Sequence, residues 1–240
     1  MSSEVAPGIW MFVPPTGGTV YVVRATAALV LIDASFFDQR DFLLARMAEN
    51  GLNPRDIRLA FATHFHCDHV GGLGWWQKEF GFEVVAHEKA VQPLETADRI
   101  STAASIPAIG FSAELIACPV THQVAASRSF AVGERMFLSY AAPGHCSVSI
   151  HIAVERVLFV GDTLFADGTI GWMDVHWGSH PEDYVETLER MRRHIGWTIL
   201  PAHGSAFVLE ARHIDQAQKL AAFYIPPGHG LGLPRAPSQY

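Results

Sequence analysis

Short apolar runs alternate with turn residues along the amino-terminal part of the chain. Ile9–Val13, Thr19–Arg24 and Ala28–Asp33 are rich in β-branched and apolar residues, and proline and glycine pairs separate the first two. Apolar runs bounded by such residues are typical of β-strands. The pattern therefore predicts three strands, the third of which ends at Asp33.

The following stretch alternates between helical and extended patterns. Helical spacing predicts a helix that begins at Asp38, as its cap, and reaches Asn50. Ile57–Thr63 predicts a strand, Gly74–Phe80 a short helix and Glu83–Ala86 another strand. Strand, loop, helix and strand in this order form the pattern of a βαβ unit, so we expect an α/β fold.

The second half of the chain continues this alternation. Strands are predicted at Met136–Ala141, Ser149–Val154, Val157–Val160 and Thr198–Pro201. Ser179 and Glu182 have capping-box spacing before a helix that reaches Ile195, and Arg212–Phe223 predicts a last helix. Residues 88–127 are rich in alanine, isoleucine and proline without a clear period, and both a partly helical lid and irregular surface structure fit them.

Composition restricts the class of protein. The 240 residues are 49% apolar, enough for a buried core, and we expect one domain over 1–225 followed by a turn-rich, flexible tail at 226–240. The formal net charge of −7 lacks the basic character of a nucleic-acid-binding surface, so no nucleic-acid partner is expected. Because no apolar stretch approaches ~18 residues, we also expect no membrane span and no membrane partner.

Cysteine is sparse and histidine is frequent, with 3 and 13 copies. An odd, low number of cysteines argues against a disulfide framework and favours a reducing compartment. We therefore expect a cytoplasmic protein, and the first residues lack the pattern of a secretory leader. Histidine is the commonest metal ligand, so its excess prompts a search for clusters.

One such cluster is His64-x-His66-x-Asp68-His69. Residues two apart in an extended segment face the same way, so His64 and His66 can bind one ion together. Asp68 and His69 follow a kink and can face a second ion. Imidazoles combined with a carboxylate suit Zn²⁺, and also Fe or Mn.

Four polar residues each follow a predicted strand: His64, His145, Asp162 and His203. Ligand sites in layered α/β folds gather at strand ends, on loops that a rigid scaffold holds in place. We therefore expect these four distant segments to converge at one edge of the fold.

Four segments resemble, in the same order, motifs of the metallo-β-lactamase superfamily. The segment THFHCDHVGG at 63–72 is similar to the metal-binding loop of that superfamily. Residues 143–145, 161–165 and 201–204 resemble its motifs PGH, GDxLF and PxHG, respectively. The resemblance extends from about residue 9 to about residue 210, and Leu31-Ile32-Asp33 resembles the family's early strand. It implies a four-layer αββα sandwich of two mixed β-sheets.

The resemblance also implies a pair of divalent ions, zinc first. The implied ligands are His64, His66 and His145 at site one and Asp68, His69 and His203 at site two, with Asp162 shared. Spacing by itself supports only the four residues of the first motif. In this family a hydroxide that bridges the ions attacks a carbonyl, and Asp68 is expected to act as the catalytic residue that orients this nucleophile or carries its proton.

Several neighbouring residues have less specific interpretations. Asp33 is expected to bond a ligand histidine rather than a metal ion. Cys67 is expected to be a small packing residue rather than a catalytic thiol. His176 and His180 fit either the lining of a pocket or the surface, and we favour the surface.

The favoured function is hydrolysis of an activated carbonyl in a small molecule, with a lactone first, a thioester second and a β-lactam third. The apolar segment 100–120 motivates an apolar part in the substrate. Lactonases of the family use a tyrosine near the metals, and the sequence offers no clear equivalent. The alternative from another class is a persulfide dioxygenase-like enzyme with a single iron. Family members are often dimers, so a homodimer stays open.

Overall fold

The computed structural model describes residues 2–173 and 178–225. Within these ranges the strands are β1 Ser2–Ala6, β2 Ile9–Phe12, β3 Val20–Ala25, β4 Ala28–Ile32, β5 Ile57–Phe61, β6 Glu83–His87, β7 Ser105–Ile106, β8 Phe111–Ser112, β9 His122–Val124, β10 Ser127–Val132, β11 Arg135–Ala141, β12 Ile150–Val154, β13 Val157–Gly161, β14 Thr198–Pro201 and β15 Phe207–Val208. The helices are α1 Arg40–Glu49, α2 Cys67–Val70, α3 Leu73–Phe80, α4 Val91–Glu95, α5 Pro181–Met191 and α6 Ala211–Phe223. The predicted tail at 226–240 and His176 lie outside the described residues.

The strands form two large sheets and one small hairpin. The seven-stranded sheet has the order β1-β2-β3-β4-β5-β6-β9, the six-stranded sheet has the order β10-β11-β12-β13-β14-β15, and β7 pairs with β8. Strands β4, β5, β6 and β9 are parallel, whereas β1 to β4 are antiparallel. In the second sheet β13 and β14 are parallel, and α5 lies in the crossover that joins them. Both sheets are therefore mixed.

The two sheets pack face to face, with helices on the outer faces. In β4, Ile32 points into the apolar cluster between the sheets, whereas Leu31 packs into the cluster that α1 and α3 cover. In β13, Phe159 joins the cluster between the sheets, whereas Leu158 packs beneath α5 and α6. Alternate side chains of one strand thus enter different layers. This arrangement confirms the predicted αββα sandwich.

Two predicted helix caps are wrong. Asp38 lies inside a 3₁₀ turn, and Gln39 is the residue that precedes α1. His180 precedes α5, and the Ser179 hydroxyl donates to the carbonyl oxygen of His145. The sequence spacing is compatible with a cap in both places, but Asp38 Oδ1 accepts from the side chain of the adjacent Gln39 at 3.0 Å, and the Ser179 hydroxyl is used in a tertiary contact.

Segment 88–127 contains more regular structure than its composition indicated. It includes α4, the β7–β8 hairpin and β9, which adds to the edge of the seven-stranded sheet. The three cysteines are free and buried. No helix in the described ranges combines the length and the apolar character that crossing a bilayer requires.

Candidate metal centre

The loops after β5, β11, β13 and β14 bring His64, His145, Asp162 and His203 together. The imidazole centroids of His64 and His145 are 4.9 Å apart. Asp162 Oδ2 lies 3.8 Å from His145 Nε2, and Asp162 Oδ1 lies 3.6 Å from His203 Nε2. The four segments therefore meet at one site, as their positions after predicted strands led us to expect.

The seven predicted residues fall into three overlapping groups of possible ligands. These groups are His64, His66 and His145; His64, His69 and Asp162; and Asp68, His69 and His203. Within each group the ligand atoms lie within 4.8 Å of one another. Such distances suit donors that surround one ion, and the overlap places the groups side by side.

Asp162 occupies the middle of the site. Its carboxylate oxygens lie 3.6 Å from His69 Nε2, 3.8 Å from His145 Nε2 and 3.6 Å from His203 Nε2. Asp68 is the other carboxylate among the predicted ligands. In the described structure it lies within ion-pair distance of His69 and His203 but not of His145. The position of Asp162 is the one that a shared ligand would need.

Asp33 and Thr63 orient two of the histidines from behind. Thr63 donates to Asp33 through its backbone N–H, at 2.8 Å, and through its hydroxyl, at 2.7 Å. The hydroxyl oxygen lies 3.1 Å from His64 Nδ1, and Asp33 Oδ2 lies 3.2 Å from His69 Nδ1. Because the Thr63 hydroxyl proton is already donated, its oxygen accepts from His64 Nδ1–H, and the carboxylate accepts from His69 Nδ1–H. Both rings therefore present Nε2 towards the centre of the site.

Replacing Asp33 tests this arrangement. We expect Asp33→Asn to lower the free energy of unfolding by about 2 kcal/mol, because an amide has one acceptor oxygen where three donors converge. The loss of orientation at His64 and His69 should also weaken metal binding by about 10–100-fold. Urea unfolding and competition with a chelator measure the two effects. Asp41→Asn is the control, since Asp41 is exposed on α1; equal behaviour of both variants would contradict the orienting role of Asp33.

His145 is oriented by a backbone carbonyl. Its Nδ1–H donates to the oxygen of Trp172 at 2.7 Å, which leaves Nε2 on the side of the other imidazoles, 3.1 Å from His66 Nδ1. The Ser179 hydroxyl donates to the carbonyl oxygen of His145 itself. Two contacts thus fix the ring and the backbone of this residue.

A buried tyrosine of α5 holds two of the loops. The Tyr184 hydroxyl lies 2.9 Å from the carbonyl oxygens of both Asp162 and Thr163, to which it donates, and it accepts from Gly171 N–H at 3.1 Å. Gly144 rests against the same residue, since a Cβ there would lie 2.7 Å from Tyr184 Cα. Tyr184 lies within the helix predicted to reach Ile195, and no local pattern in the sequence points to its contact with the site.

Burial and charge set the protonation states. Burial lowers the pKa of His66 to about 3, and burial together with His69 holds the pKa of His64 well below its usual range. Burial also lowers the pKa of His145. For His69 burial acts in the same direction, but the carboxylates of Asp68 and Asp162 outweigh it and raise the pKa. Three imidazoles are therefore neutral at pH 7, as a metal ligand must be.

The carboxylates are ionised in spite of burial. Burial acts to raise the pKa of Asp162, but the adjacent His69 and the other histidines outweigh it and lower the value to about 2. The same opposition leaves the pKa of Asp68 well below its usual range, with His69 and then His203 as the main causes. Neutral imidazoles and ionised carboxylates are the forms that bind divalent cations.

Two other sequence predictions concern residues at the edge of the site. Burial raises the pKa of the Cys67 thiol to about 12, so the thiolate that nucleophilic catalysis needs is scarce at neutral pH. His180 is half-exposed and pairs with Glu182, with 3.1 Å between Nδ1 and Oε2. These observations support a packing role for Cys67 and a surface position for His180.

The site opens into a cavity of about 470 Å³. Its floor is formed by the metal-site residues His66, Asp68, His145, Asp162 and His203. Its walls include Pro15, Phe36, Ile106, Phe111 and Trp172. A concave, mostly apolar cavity with a few convergent polar groups is typical of small-molecule sites.

A family model described as the metallo-beta-lactamase superfamily matches residues 13–230. The chain belongs to this superfamily. Among its relatives is the acyl-coenzyme A thioesterase MBLAC2 of Gallus gallus, 26% identical over 228 residues that cover 86% of this chain and 77% of the relative. Hydroxyacylglutathione hydrolase of Stenotrophomonas maltophilia is 29% identical over 161 residues, which cover 67% of this chain and 47% of that protein. This superfamily member is thus a metal-dependent hydrolase, in a family that acts on small molecules.

Solved structures of the superfamily share its fold. The subclass B3 metallo-beta-lactamase BJP-1 of Bradyrhizobium japonicum superposes with a TM-score of 0.73 and 21% identity, covering 93% of this chain and 91% of that one. At this identity the likeness concerns the fold alone. Membership implies divalent metal ions, and the His and Asp groups described above are the residues that could hold them.

Proposed function

We propose that this hydrolase holds two divalent cations, zinc first, and cleaves a thioester, a lactone or a similar activated carbonyl. Site one consists of His64, His66 and His145, site two of Asp68, His69 and His203, and Asp162 is shared. The observation that carries the proposal is the set of three overlapping donor groups, each within 4.8 Å, around one central carboxylate. A structural zinc site is mononuclear and closed, whereas five of these seven residues line an open cavity.

The residues fit such ions on a second, independent observation. His64 Nε2 and Asp162 Oδ1 are buried and have no hydrogen-bond partner in the described structure. Buried polar atoms nearly always have a hydrogen-bond partner. Two such atoms without one at the same site therefore require another kind of partner, and a metal ion is suitable. Divalent cations bound here would supply Lewis acidity, which acidifies water and polarises a carbonyl oxygen.

Asp68 is the residue to which we assign proton handling. It lines the cavity, and its Oδ2 lies 3.3 Å from His69 Nε2 and 3.3 Å from His203 Nε2. Held in this position and ionised, the carboxylate can orient an attacking water and accept its proton. Because two imidazoles already fix this carboxylate, it loses little conformational freedom when substrate binds, which favours the reaction.

A thioester now stands first among the substrates. The relatives that cover most of this chain include acyl-coenzyme A thioesterases. No tyrosine belongs to the described lining of the cavity, so the residue that lactonases of the family place near their metals has no counterpart there. A β-lactam stays third, because the B3 enzymes share the fold at low identity. The cytoplasmic location and the homodimer remain predictions.

Metal analysis followed by a small substrate panel tests the proposal. We expect about two ions per chain and metal-dependent hydrolysis of a thioester or a lactone in preference to a cephalosporin or a phosphodiester. One iron per chain with sulfur oxidation would favour the dioxygenase alternative. A metal-replete enzyme that leaves thioesters and lactones intact would reject the substrate class, and a chain that binds no metal would reject the mechanism.

A further inference from the structure

One wall of the cavity is apolar and lies beside the metal centre. Phe36, Ile106 and Phe111 form this wall, and they are called the apolar wall below. The ring centroids of Phe36 and Phe111 are 6.3 Å apart, so the two rings form one surface. All three side chains are partly exposed, and a bound group could cover the surface that remains.

The apolar wall is tied to the loop that carries the ligands. Cys67 N–H, between His66 and Asp68, donates to the carbonyl oxygen of Thr102 at 2.8 Å. The β7–β8 hairpin that carries Ile106 and Phe111 follows directly, and Ala113 N–H closes it by donating to Ala104 O at 2.8 Å. Backbone hydrogen bonds therefore hold Ile106 and Phe111 beside the loop that carries the ligands.

The described lining of the cavity at this wall contains neither lysine nor arginine. Arg99, which precedes the hairpin, is not among the lining residues, and it donates to Ser112 Oγ at 2.6 Å and to Ala104 O at 3.4 Å. A carboxylate placed against the apolar wall would lose its water without gaining an ion pair, which is unfavourable.

We propose that the acyl group of the substrate is uncharged and apolar, that it lies on the apolar wall, and that Phe111 is the main residue that selects it. The proposal rests on the proposed carbonyl hydrolysis and names the part of the substrate that this activity leaves open. Each buried methylene should raise kcat/KM about fourfold, the change that corresponds to roughly 0.8 kcal/mol, until the wall is covered.

Esters with one leaving group and different acyl groups test the proposal. For the metal-replete enzyme we expect kcat/KM to rise from p-nitrophenyl acetate through the butanoate to the hexanoate, and to fall for an ester of similar length that ends in a carboxylate. Phe111→Ala should lower the hexanoate-to-acetate ratio by about tenfold, as expected for loss of a large apolar contact. Ile109→Ala is the matched control, since Ile109 lies in the same hairpin but is 74% exposed and does not line the cavity.

The ratio is measured on one sample, so a partly unfolded variant does not disturb it. A flat acyl-length profile, or a carboxylate-ended ester as good as the hexanoate, would overturn the inference while leaving carbonyl hydrolysis intact. If Ile109→Ala also lost the preference for the hexanoate over the acetate, the assignment of Phe111 as the selecting residue would be wrong.

Hydroxamates, which chelate metals, test the apolar wall without turnover. Hexanohydroxamate should raise the Tm of the metal-loaded protein more than acetohydroxamate does, and the difference between the two shifts should be smaller in Phe111→Ala. Equal shifts in the unmodified protein would reject the apolar wall. If the difference appears but no ester is hydrolysed, the proposed function fails and the inference about the apolar wall stands.

Discussion

Replacing His66 with alanine is expected to lower kcat/KM by more than about 100-fold and to reduce the metal content by about one ion per chain. His66 is buried, and its Nδ1 lies 3.1 Å from His145 Nε2, so the two imidazoles face the same point. Alanine removes one of three donors from the group of His64, His66 and His145. The two remaining imidazoles, even with the shared Asp162, supply fewer protein donors than a four-coordinate ion takes.

Two measurements on the same sample check this expectation. Metal is counted by elemental analysis after dialysis, and turnover is measured with the ester or thioester that the unmodified protein cleaves best. His122→Ala is the control, because His122 lies on β9 and pairs with Glu83, with 2.8 Å between Nε2 and Oε2. If His66→Ala kept its metal and its turnover, the assignment of site one would be wrong.

Gly74→Ala is expected to destabilise the fold by about 1–3 kcal/mol, although alanine is the better helix former. A Cβ at Gly74 would lie 2.3 Å from the carbonyl oxygen of Ala117 and 2.5 Å from that of Ile116. Both are backbone atoms, so no side-chain rotation relieves the contact. The gain of about 1 kcal/mol in helix propensity is smaller than the cost of separating α3 from the segment at 116–117.

Thermal unfolding measures the outcome. For a chain of this size, we expect a decrease in Tm of several degrees, at about 2–4 °C per kcal/mol. Lys78→Ala, on the exposed side of the same helix, should change the stability by no more than about 0.5 kcal/mol. An increase in Tm for Gly74→Ala would mean that propensity prevails and that the close approach is not required.

Periodicity was sufficient for the elements that form the centre of the fold. Strands such as β4 and β13 are apolar throughout because each of their faces enters a different cluster, and they were placed within one or two residues. The peripheral strands β1, β9, β10 and β15 were not predicted. Strands of two to six residues at sheet edges carry too few buried apolar positions to separate them from loops.

The candidate ligands divide in the same way. His64, His66, Asp68 and His69 are adjacent in the chain, so their spacing was itself a signal. The convergence of the other three was expected from strand ends and from family resemblance, and the structure shows their proximity.

Asp33 was expected to bond a ligand histidine and lies 3.2 Å from His69 Nδ1, but the other orienting contacts had no local signal. The Tyr184 hydroxyl donates to the backbone of Asp162, the Thr63 hydroxyl donates to Asp33, and the β7–β8 hairpin carries two of the three residues of the apolar wall. Backbone carbonyls and shared hydroxyl groups look the same in every sequence, and only packing decides which of them meet. Local pattern and motif were therefore enough for the layers of the sandwich and for the donor types, whereas the contacts that orient each donor and shape the cavity depend on residues brought together from distant parts of the chain.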